Sequence, residues 1–360
     1  MRVRGFLATT VVVGGVLVGA PATAFAQTLV PCNGPALQSA VAAANTAGGG
    51  TLNLTAGCTY TLTAPDDGEN GLAVITTPVR INGNRATITR SSATNFRFFQ
   101  VEGSGNLTLD TLTLSNGRAR EGGAIRISDS GRLTLSTSTL TGNTARLEGG
   151  GGIIITSSAA TAMISSSTLH NNTASDSGGG GLSNVGGTAT FIGSAVTGNQ
   201  ALVGGGISNS RGSVTLNSTR IEANDATSDS GTAFGGGVVN EDGTMTLTGS
   251  HVLNNSAGGV DAALGGGVWS AGFFARLNIS NSVILGNSAT GGDSFGGGIY
   301  SDGTTTLNGA VVLSNRVVGS DLADAGGIYR LDGTVTLTGT AVVNNQPTNC
   351  GDPSTVPGCS

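Results

Sequence analysis

Residues 235–257 read GGGVVNEDGTMTLTGSHVLNNSA, and the fold can be inferred from this stretch. A glycine tract leads into the aliphatic residue Val238. An Asp-Gly pair follows, residues 244–248 alternate between apolar and polar, and a Gly-Ser pair precedes a third apolar run at 251–257. Alternation of this kind is typical of strands, and Gly, Asp and Ser favour turns. The stretch therefore predicts three short strands separated by two turns.

The same plan returns along most of the chain. Its marker is an aliphatic anchor that follows a glycine tract, and successive anchors are separated by 28, 29, 25, 31, 30, 31 and 29 residues. The anchors are Ile125, Ile153, Leu182, Ile207, Val238, Val268, Ile299 and Ile328. A fixed period in this range indicates a solenoid. Three strands in about 29 residues, with no room for a helix, predict an all-β protein in which each repeat is one coil of a parallel β-helix.

A second marker lies half a repeat away from the first. An aliphatic residue is followed three positions later by asparagine, and Gly117 fills the first such position. The asparagines are Asn143, Asn172, Asn199, Asn224, Asn255, Asn287, Asn315 and Asn345. Because stacked coils lie about 4.8 Å apart, each amide can bond to the next, so we expect a structural ladder. Asn and Gly both tolerate the left-handed conformation, which predicts a positive φ at this position.

The two ends of the chain differ from the repeats. Residues 1–26 combine a basic start, an apolar run and a small-x-small site at Ala26, which predicts a cleaved signal peptide. We expect an N-terminal cap over 27–65, with a short helix that begins near Pro35, because the end of a solenoid exposes its core. The β-helix is expected over 66–345, and a short disulfide-linked tail over 346–360.

The four cysteines lie only near the ends, at Cys32, Cys58, Cys350 and Cys359. An even count in an exported chain indicates disulfides, and four cysteines allow three pairings. The pairing of Cys32 with Cys58 and of Cys350 with Cys359 is favoured, because a rod keeps its two ends apart. Metal binding is the alternative, although no histidine lies near either pair.

Charge and hydropathy exclude several partners. Without residues 1–26 the chain has 14 arginines, no lysine and 21 acids, a formal net charge of −7. A sparse acidic surface argues against nucleic acid and against an anionic membrane. No segment after the predicted signal peptide approaches the roughly 20 apolar residues of a membrane span. We expect a secreted monomer.

The repeats resemble those of polymorphic outer membrane proteins, whose motifs are GGA followed by an aliphatic residue, and FxxN. Residues 122–125 read GGAI, and 252–255 read VLNN with an aliphatic residue in place of Phe. The segment 37–62 is similar to the cap of bacterial secreted right-handed β-helix proteins. The resemblance implies a right-handed β-helix and a role in adhesion at the cell surface. No region after the last repeat looks like the C-terminal β-barrel of that family, which weakens the expectation of surface anchoring.

Right-handed β-helices also include polysaccharide lyases and glycoside hydrolases. Their chemistry needs paired carboxylates, or a cationic base with calcium, held at adjacent coils. The one Asp-Asp pair, Asp66-Asp67, lies beside Pro65 and Gly68, where a turn is the simpler interpretation. We expect no catalytic residues. A lyase-like or hydrolase-like enzyme remains the alternative.

Two series of residues vary between repeats and form the candidate ligand edge. Acids precede seven of the eight glycine tracts at drifting offsets, which favours solvated loop acids over a Ca²⁺ or glycan site. Aromatic residues follow three consecutive anchors by one position, which favours a supporting stack over a sugar platform. The residues named for this edge are Asp261, Asp293, Asp324, Trp269, Tyr300 and Tyr329. We expect no cofactor. A polysaccharide or a cell-surface component is the expected partner of a non-catalytic surface protein, and a glycan-binding rod is the alternative.

Overall fold

The computed structural model describes residues 27–351 and 356–359, so the predicted signal peptide lies outside the described residues. The chain is a right-handed parallel β-helix of about ten turns, with about 29 residues in each turn. All named strand pairings are parallel, and every coil pairs with the one before and after it. The prediction of an all-β parallel β-helix is confirmed.

Three ladders of strands form one sheet of 28 strands, and a fourth ladder belongs to a separate sheet of 10 strands. The first ladder holds the anchors: Phe99–Val101, Ile125–Ile127, Ile153–Ile155, Leu182–Val185, Ile207–Ser210, Val238–Glu241, Cys350–Gly351, and the first parts of Val268–Ser280, Ile299–Asn308 and Ile328–Thr338. Their anchor side chains are fully buried and form the core.

The second ladder follows the first turn of each coil. It consists of Gln27–Val30, Gly50–Leu54, Arg132–Ser136, Thr161–Ser165, Thr188–Ile192, Ser213–Asn217, Thr244–Thr248, the first parts of Pro78–Arg90 and Asn106–Ser115, and the second parts of the three long strands named above. Its apolar residues alternate with threonines, and the burial pattern alternates with them. Thr on the outer face suits an exposed strand because it is β-branched.

The third ladder completes the sheet. It consists of Thr59–Leu62, Thr139–Thr141, Thr168–His170, Ala195–Thr197, Arg220–Glu222, His251–Leu253, Val283–Leu285, Val311–Leu313, Ala341–Val343, and the second parts of Pro78–Arg90 and Asn106–Ser115. Each of its central aliphatic residues is buried. These three ladders are the three strands expected in each coil.

The fourth ladder is a short addition that the sequence did not indicate. It consists of Arg118–Ala119, Thr144–Ala145, Thr173–Ala174, Gln200–Ala201, Asp225–Ser228, Ser256–Gly259, and the first parts of Ser288–Phe295 and Arg316–Asp324. In the later coils the chain continues into a further row, the arm, formed by Thr232–Phe234, Ala262–Leu264 and the second parts of the last two strands. The arm returns the chain to the next glycine tract.

One helix, Gly34–Thr46, covers the N-terminal end of the core. Asn33 caps it, because its Oδ1 accepts a hydrogen bond of 2.8 Å from the backbone N–H of Ala36. Leu37 and Val41 are fully buried on one face. The predicted capping helix is confirmed. Among the described residues, no helix is long and apolar enough to cross a membrane.

Candidate functional site

The asparagines of the second marker form a continuous buried column. Asn224 Nδ2 donates to Asn255 Oδ1 at 2.9 Å and to the carbonyl of Val196 at 2.9 Å, and Asn224 Oδ1 accepts from the backbone N–H and Nδ2 of Asn199. The same pattern runs from Asn143 to Asn345. A buried polar group that is fully hydrogen-bonded stabilises the fold, so this column is structural.

The prediction of a positive φ at the asparagine position is wrong. The left-handed residue is the one before it, as at Asn171 with φ 51°, Gly198 with φ 62° and Ala223 with φ 52°. The asparagine must point its side chain into the coil, so the turn is made by its neighbour. Gly117 occupies the position for a different reason: a Cβ there would meet the carbonyl oxygen of Gly123.

The glycine tracts and the asparagine column contact each other across the coil. A Cβ on Gly237 would lie 3.0 Å from Cγ of Asn255, and a Cβ on Gly236 would overlap the backbone of Ser256 in the fourth ladder. The residue three positions before each anchor has a positive φ, as at Gly235 with φ 57°, and it is glycine in every coil but the last, where it is Ala325. Glycine therefore allows a left-handed turn and a close approach of two backbones.

Two further polar columns exist that sequence reasoning missed. In the first ladder, Asn184 Nδ2 donates to Asn209 Oδ1 and Asn209 Nδ2 donates to Asn240 Oδ1, both at 2.8 Å. Between the second and third ladders, the backbone N–H of Ser138 donates to Ser167 Oγ at 3.1 Å. The first of these columns could have been found from the sequence, because Asn recurs two residues after successive anchors. Both columns hydrogen-bond one coil to the next and are structural.

The cysteines form two disulfides. Cys32 joins Cys58 with a Cα–Cα distance of 5.8 Å, and Cys350 joins Cys359 at 6.3 Å. The first lies beside the capping helix and the second closes the C-terminal end. Among the described residues there is no cluster of three or more His, Cys, Asp or Glu that could hold a metal ion.

The acids of the candidate ligand edge are not brought into one row. Asp293 pairs with Ala262, whereas Asp324 pairs with Phe295. Asp261 lies in the turn before Ala262, where its carbonyl accepts the backbone N–H of Asp293 at 2.8 Å. The three side chains therefore occupy different positions along the arm.

The aromatic residues of that edge do meet. Trp269, Tyr300 and Tyr329 are in register in the first ladder. The ring centroids of Trp269 and Tyr300 lie 6.4 Å apart with an interplanar angle of 15°, and those of Tyr300 and Tyr329 lie 5.4 Å apart at 22°. This aromatic stack runs along the outer face of the rod.

Most of the aromatic stack is covered by the arm. Tyr300 and Tyr329 are each only 7% exposed, and Phe295 packs 4.7 Å from the ring of Tyr329. Burial, followed by the negative charge of Asp302 and by Tyr329, raises the pKa of Tyr300 from 10.0 to about 12. The two tyrosines therefore support the arm and offer no open ring face to a ligand.

The stack ends in an open pocket at Trp269. Phe234 of the arm packs edge-on against Trp269 with centroids 5.2 Å apart. In the two preceding coils, the positions in register with Trp269 are occupied by the smaller residues Val239 and Ser208. Because these side chains leave space beside the indole, a pocket of about 260 Å³ forms there. Its lining consists of Val203, Ser208, Phe234, Val239, Glu241 and Trp269.

The pocket combines an apolar wall with polar groups. Glu241 Oε2 accepts a hydrogen bond of 2.9 Å from Ser210 Oγ, which holds the carboxylate beside the rings. Trp269 Nε1 is buried and has no hydrogen-bond partner among the described residues. An aromatic wall with a few placed polar groups is typical of a small-molecule site. We name the residues that line it the Trp269 pocket.

Comparisons with known proteins agree with this architecture. Residues 97–274 match the family model described as a right handed beta helix region. No curated protein matches the chain in sequence.

Similar solved structures include three proteins. PfbA, a surface adhesin of Streptococcus pneumoniae, is 10% identical with a TM-score of 0.38, and the match covers 88% of this chain and 91% of that one. The A-module of a mannuronan C-5 epimerase of Azotobacter vinelandii is 13% identical with a TM-score of 0.31 (88% and 98% covered), and the Dettilon tailspike protein is 12% identical with a TM-score of 0.36 (88% and 61%). From its strand topology, the chain is a right-handed parallel β-helix.

Proposed function

We propose that this chain is a secreted, non-catalytic β-helix that binds a glycan at a cell surface through the Trp269 pocket. The observation that carries the proposal is the open end of the aromatic stack, where Trp269 and Phe234 form an apolar wall beside the carboxylate of Glu241. Sugar rings have one face of C–H groups that packs on aromatic rings, and hydroxyls that bond to carboxylates.

Export rests on the sequence. The proposed boundaries are a signal peptide over 1–26, a cap over 27–65, the β-helix over 66–345 and a disulfide tail over 346–360. Two disulfides support an oxidising compartment, where such bonds persist. The GGAI and VLNN motifs support a likeness to polymorphic outer membrane protein repeats and a role in adhesion. We propose that the protein acts as a monomer.

The chain's single tryptophan makes the proposal directly testable. Because Trp269 lines the pocket, a glycan that enters it changes the fluorescence of that residue alone. Glycans that bind on an array would be titrated against the wild type. We expect a saturable change in emission, and Glu241→Gln should weaken binding about tenfold through loss of a charged hydrogen bond.

A matched control is Glu222→Gln, because Glu222 lies on the third ladder, away from the pocket. It should leave the titration unchanged. The absence of any array signal and any emission change would overturn the glycan proposal. Release of reducing or unsaturated ends from the bound polysaccharides would overturn the non-catalytic part and favour the lyase or hydrolase alternative.

A further inference from the structure

Charge is distributed unequally along the rod. Residues 80–146 contain nine arginines and four acids, whereas residues 147–360 contain five arginines and 14 acids. The net charge of −7 therefore conceals a basic segment in the first coils. Local charge, rather than the sum, decides which partner a surface attracts.

Several of these arginines lie on the outer face of the fourth ladder. Arg118 pairs in register with Thr144, and Thr144 with Thr173, so Arg118 begins one outward row. Arg120 and Arg146 each lie two residues after a member of this row. Arg118, Arg120 and Arg146 are all exposed. We call Arg90, Arg118, Arg120 and Arg146 the basic shelf.

The positive charges of the basic shelf are poorly neutralised within the chain. Arg120 pairs with Glu148 at 3.0 Å, but Arg118 and Arg146 form no ion pair with another described residue. Arg90 donates only to backbone carbonyls, among them Asn116 at 2.8 Å.

Arg90 and Arg118 also repel each other. The guanidinium of Arg90 lies 5.8 Å from the ring centroid of Phe96, whose backbone pairs with Arg118. Burial and the positive charge of Arg118 lower the pKa of Arg90. Like charges held together by the fold are relieved when an anion binds between them.

The shelf opens onto a polar groove. The fourth-ladder strands here are only two residues long and carry no arm, so the face stays open. The outward row continues through Thr173 and Gln200 to Asp225. A pocket of about 400 Å³ lies there, lined by Thr173, Ala174, Ser175, Gln200, Ala201, Asp225 and Thr227. Hydroxyl and amide groups in line with a basic patch fit a polymer that bears both hydroxyls and anionic groups.

We propose that the basic shelf and this groove bind an anionic polysaccharide, laid along the axis of the first coils. The site is distinct from the Trp269 pocket, and it stands or falls independently of it. Guanidinium groups bind carboxylate and sulfate groups through charged hydrogen bonds. The hydroxyls and amide of the groove bond to sugar hydroxyls between the anionic groups.

The test measures binding of the full mature chain to polygalacturonate, to dextran sulfate and to neutral dextran. We expect both charged polymers to bind at about 50 mM salt, to weaken as salt rises, and neutral dextran not to bind. Comparison of the carboxylated and sulfated polymers identifies the anionic group that the shelf prefers. Equal binding of neutral dextran would overturn the proposal.

The double variant Arg118→Ser/Arg146→Ser should lose about tenfold in affinity for the charged polymers. Its matched control is Arg316→Ser, because Arg316 occupies the same outward row as Arg118 at the other end of the rod and is also exposed. The control should bind like the wild type, and Trp269→Leu should too. An equal loss in the Arg316 variant would overturn the proposed location.

Two other partners for the basic shelf, a second copy of the chain and a nucleic acid, can be distinguished from a polysaccharide by further measurements. If the wild type forms a salt-sensitive dimer in sedimentation and the double variant does not, the shelf contacts the acidic half of a second copy, and the polysaccharide proposal is wrong. If single-stranded DNA binds as tightly as the charged polymers, the surface recognises phosphate charge without regard to sugar, which also overturns it.

Discussion

The coils that carry the basic shelf and those that carry the aromatic stack share one backbone plan but present different surfaces. In the former, the fourth-ladder strands are two residues long and the face is open. In the latter, Ser288–Phe295 and Arg316–Asp324 run for eight and nine residues and cover the aromatic rings. A few residues inserted at one corner thus change the surface without disturbing the ladders inside.

The largest effect is expected from the asparagine column, which both regions share. Asn172→Ala and Asn287→Ala each remove two donated side-chain bonds and leave the backbone N–H of the preceding asparagine, Asn143 or Asn255, without its acceptor. We expect each variant to lose about 4 kcal/mol of unfolding free energy in urea titrations. Exposed Asn278→Ala is the control and should change stability by less than about 0.5 kcal/mol. If only one of the two variants lost unfolding free energy, the asparagine column would not stabilise both regions alike.

The aromatic stack should separate the two regions. Tyr300→Ala removes a ring that is 7% exposed and packed between two others, so we expect a loss of about 3 kcal/mol. Gln100→Ala changes a residue on the same outer row in the first coils, where no arm covers it, and should cost about 1 kcal/mol. Equal losses in urea unfolding would contradict the view that the arm is held by the stack.

Glycine substitutions distinguish the glycine tracts from the fourth ladder. A Cβ at Gly180 or Gly236 would overlap the backbone of the next coil, so Gly→Ala should cost about 2 kcal/mol at each. Gly258, at the end of a fourth-ladder strand, has no atom within 4 Å of such a Cβ. Gly258→Ala should therefore be nearly neutral in thermal melts. A large cost at Gly258 would mean that the fourth ladder packs more tightly than its geometry indicates.

The smallest expected effect depends on pH. Burial raises the pKa of Tyr300 in the folded chain above its ordinary value of 10.0, to about 12. The unfolded chain then loses this proton first, so stability is present below pH 10 and falls as pH rises toward 12. Melting temperatures of Tyr300→Phe should fall less steeply than those of the wild type over that range. If the melting temperatures of the two proteins fell equally with pH, the hydroxyl of Tyr300 would be in contact with water and its pKa would not be raised.

The fold could be predicted from the sequence because its markers are local. A glycine tract, an aliphatic anchor and an alternating run such as 244–248 each depend on one coil, and the period then follows by counting. The buried asparagines could be found for the same reason. The left-handed position was misplaced by one residue, because Ala223 and Asn171 make the turn with side chains that give no consistent signal.

The candidate site was harder to predict, because it depends on contacts between coils. The alignment of Trp269, Tyr300 and Tyr329 was visible in the sequence, but their burial depends on an arm whose strands pair with the arm strands of neighbouring coils. The acids Asp293 and Asp324 looked like one series because each precedes a glycine tract. The register places them opposite Ala262 and Phe295 instead, since the arms differ in length.

The asparagine column also has a direction. Each asparagine Oδ1 accepts from the preceding coil and one of its Nδ2 hydrogens donates to the following asparagine, from Asn143, which accepts from the backbone N–H of Gly117, to Asn345, which donates to Asn349 Oδ1. Side-chain dipoles aligned in this way add, whereas those of strands largely cancel. The negative pole then lies among the arginine-rich coils and the positive pole among the acid-rich ones, so the formal charges complement the internal dipole as they do in a helix.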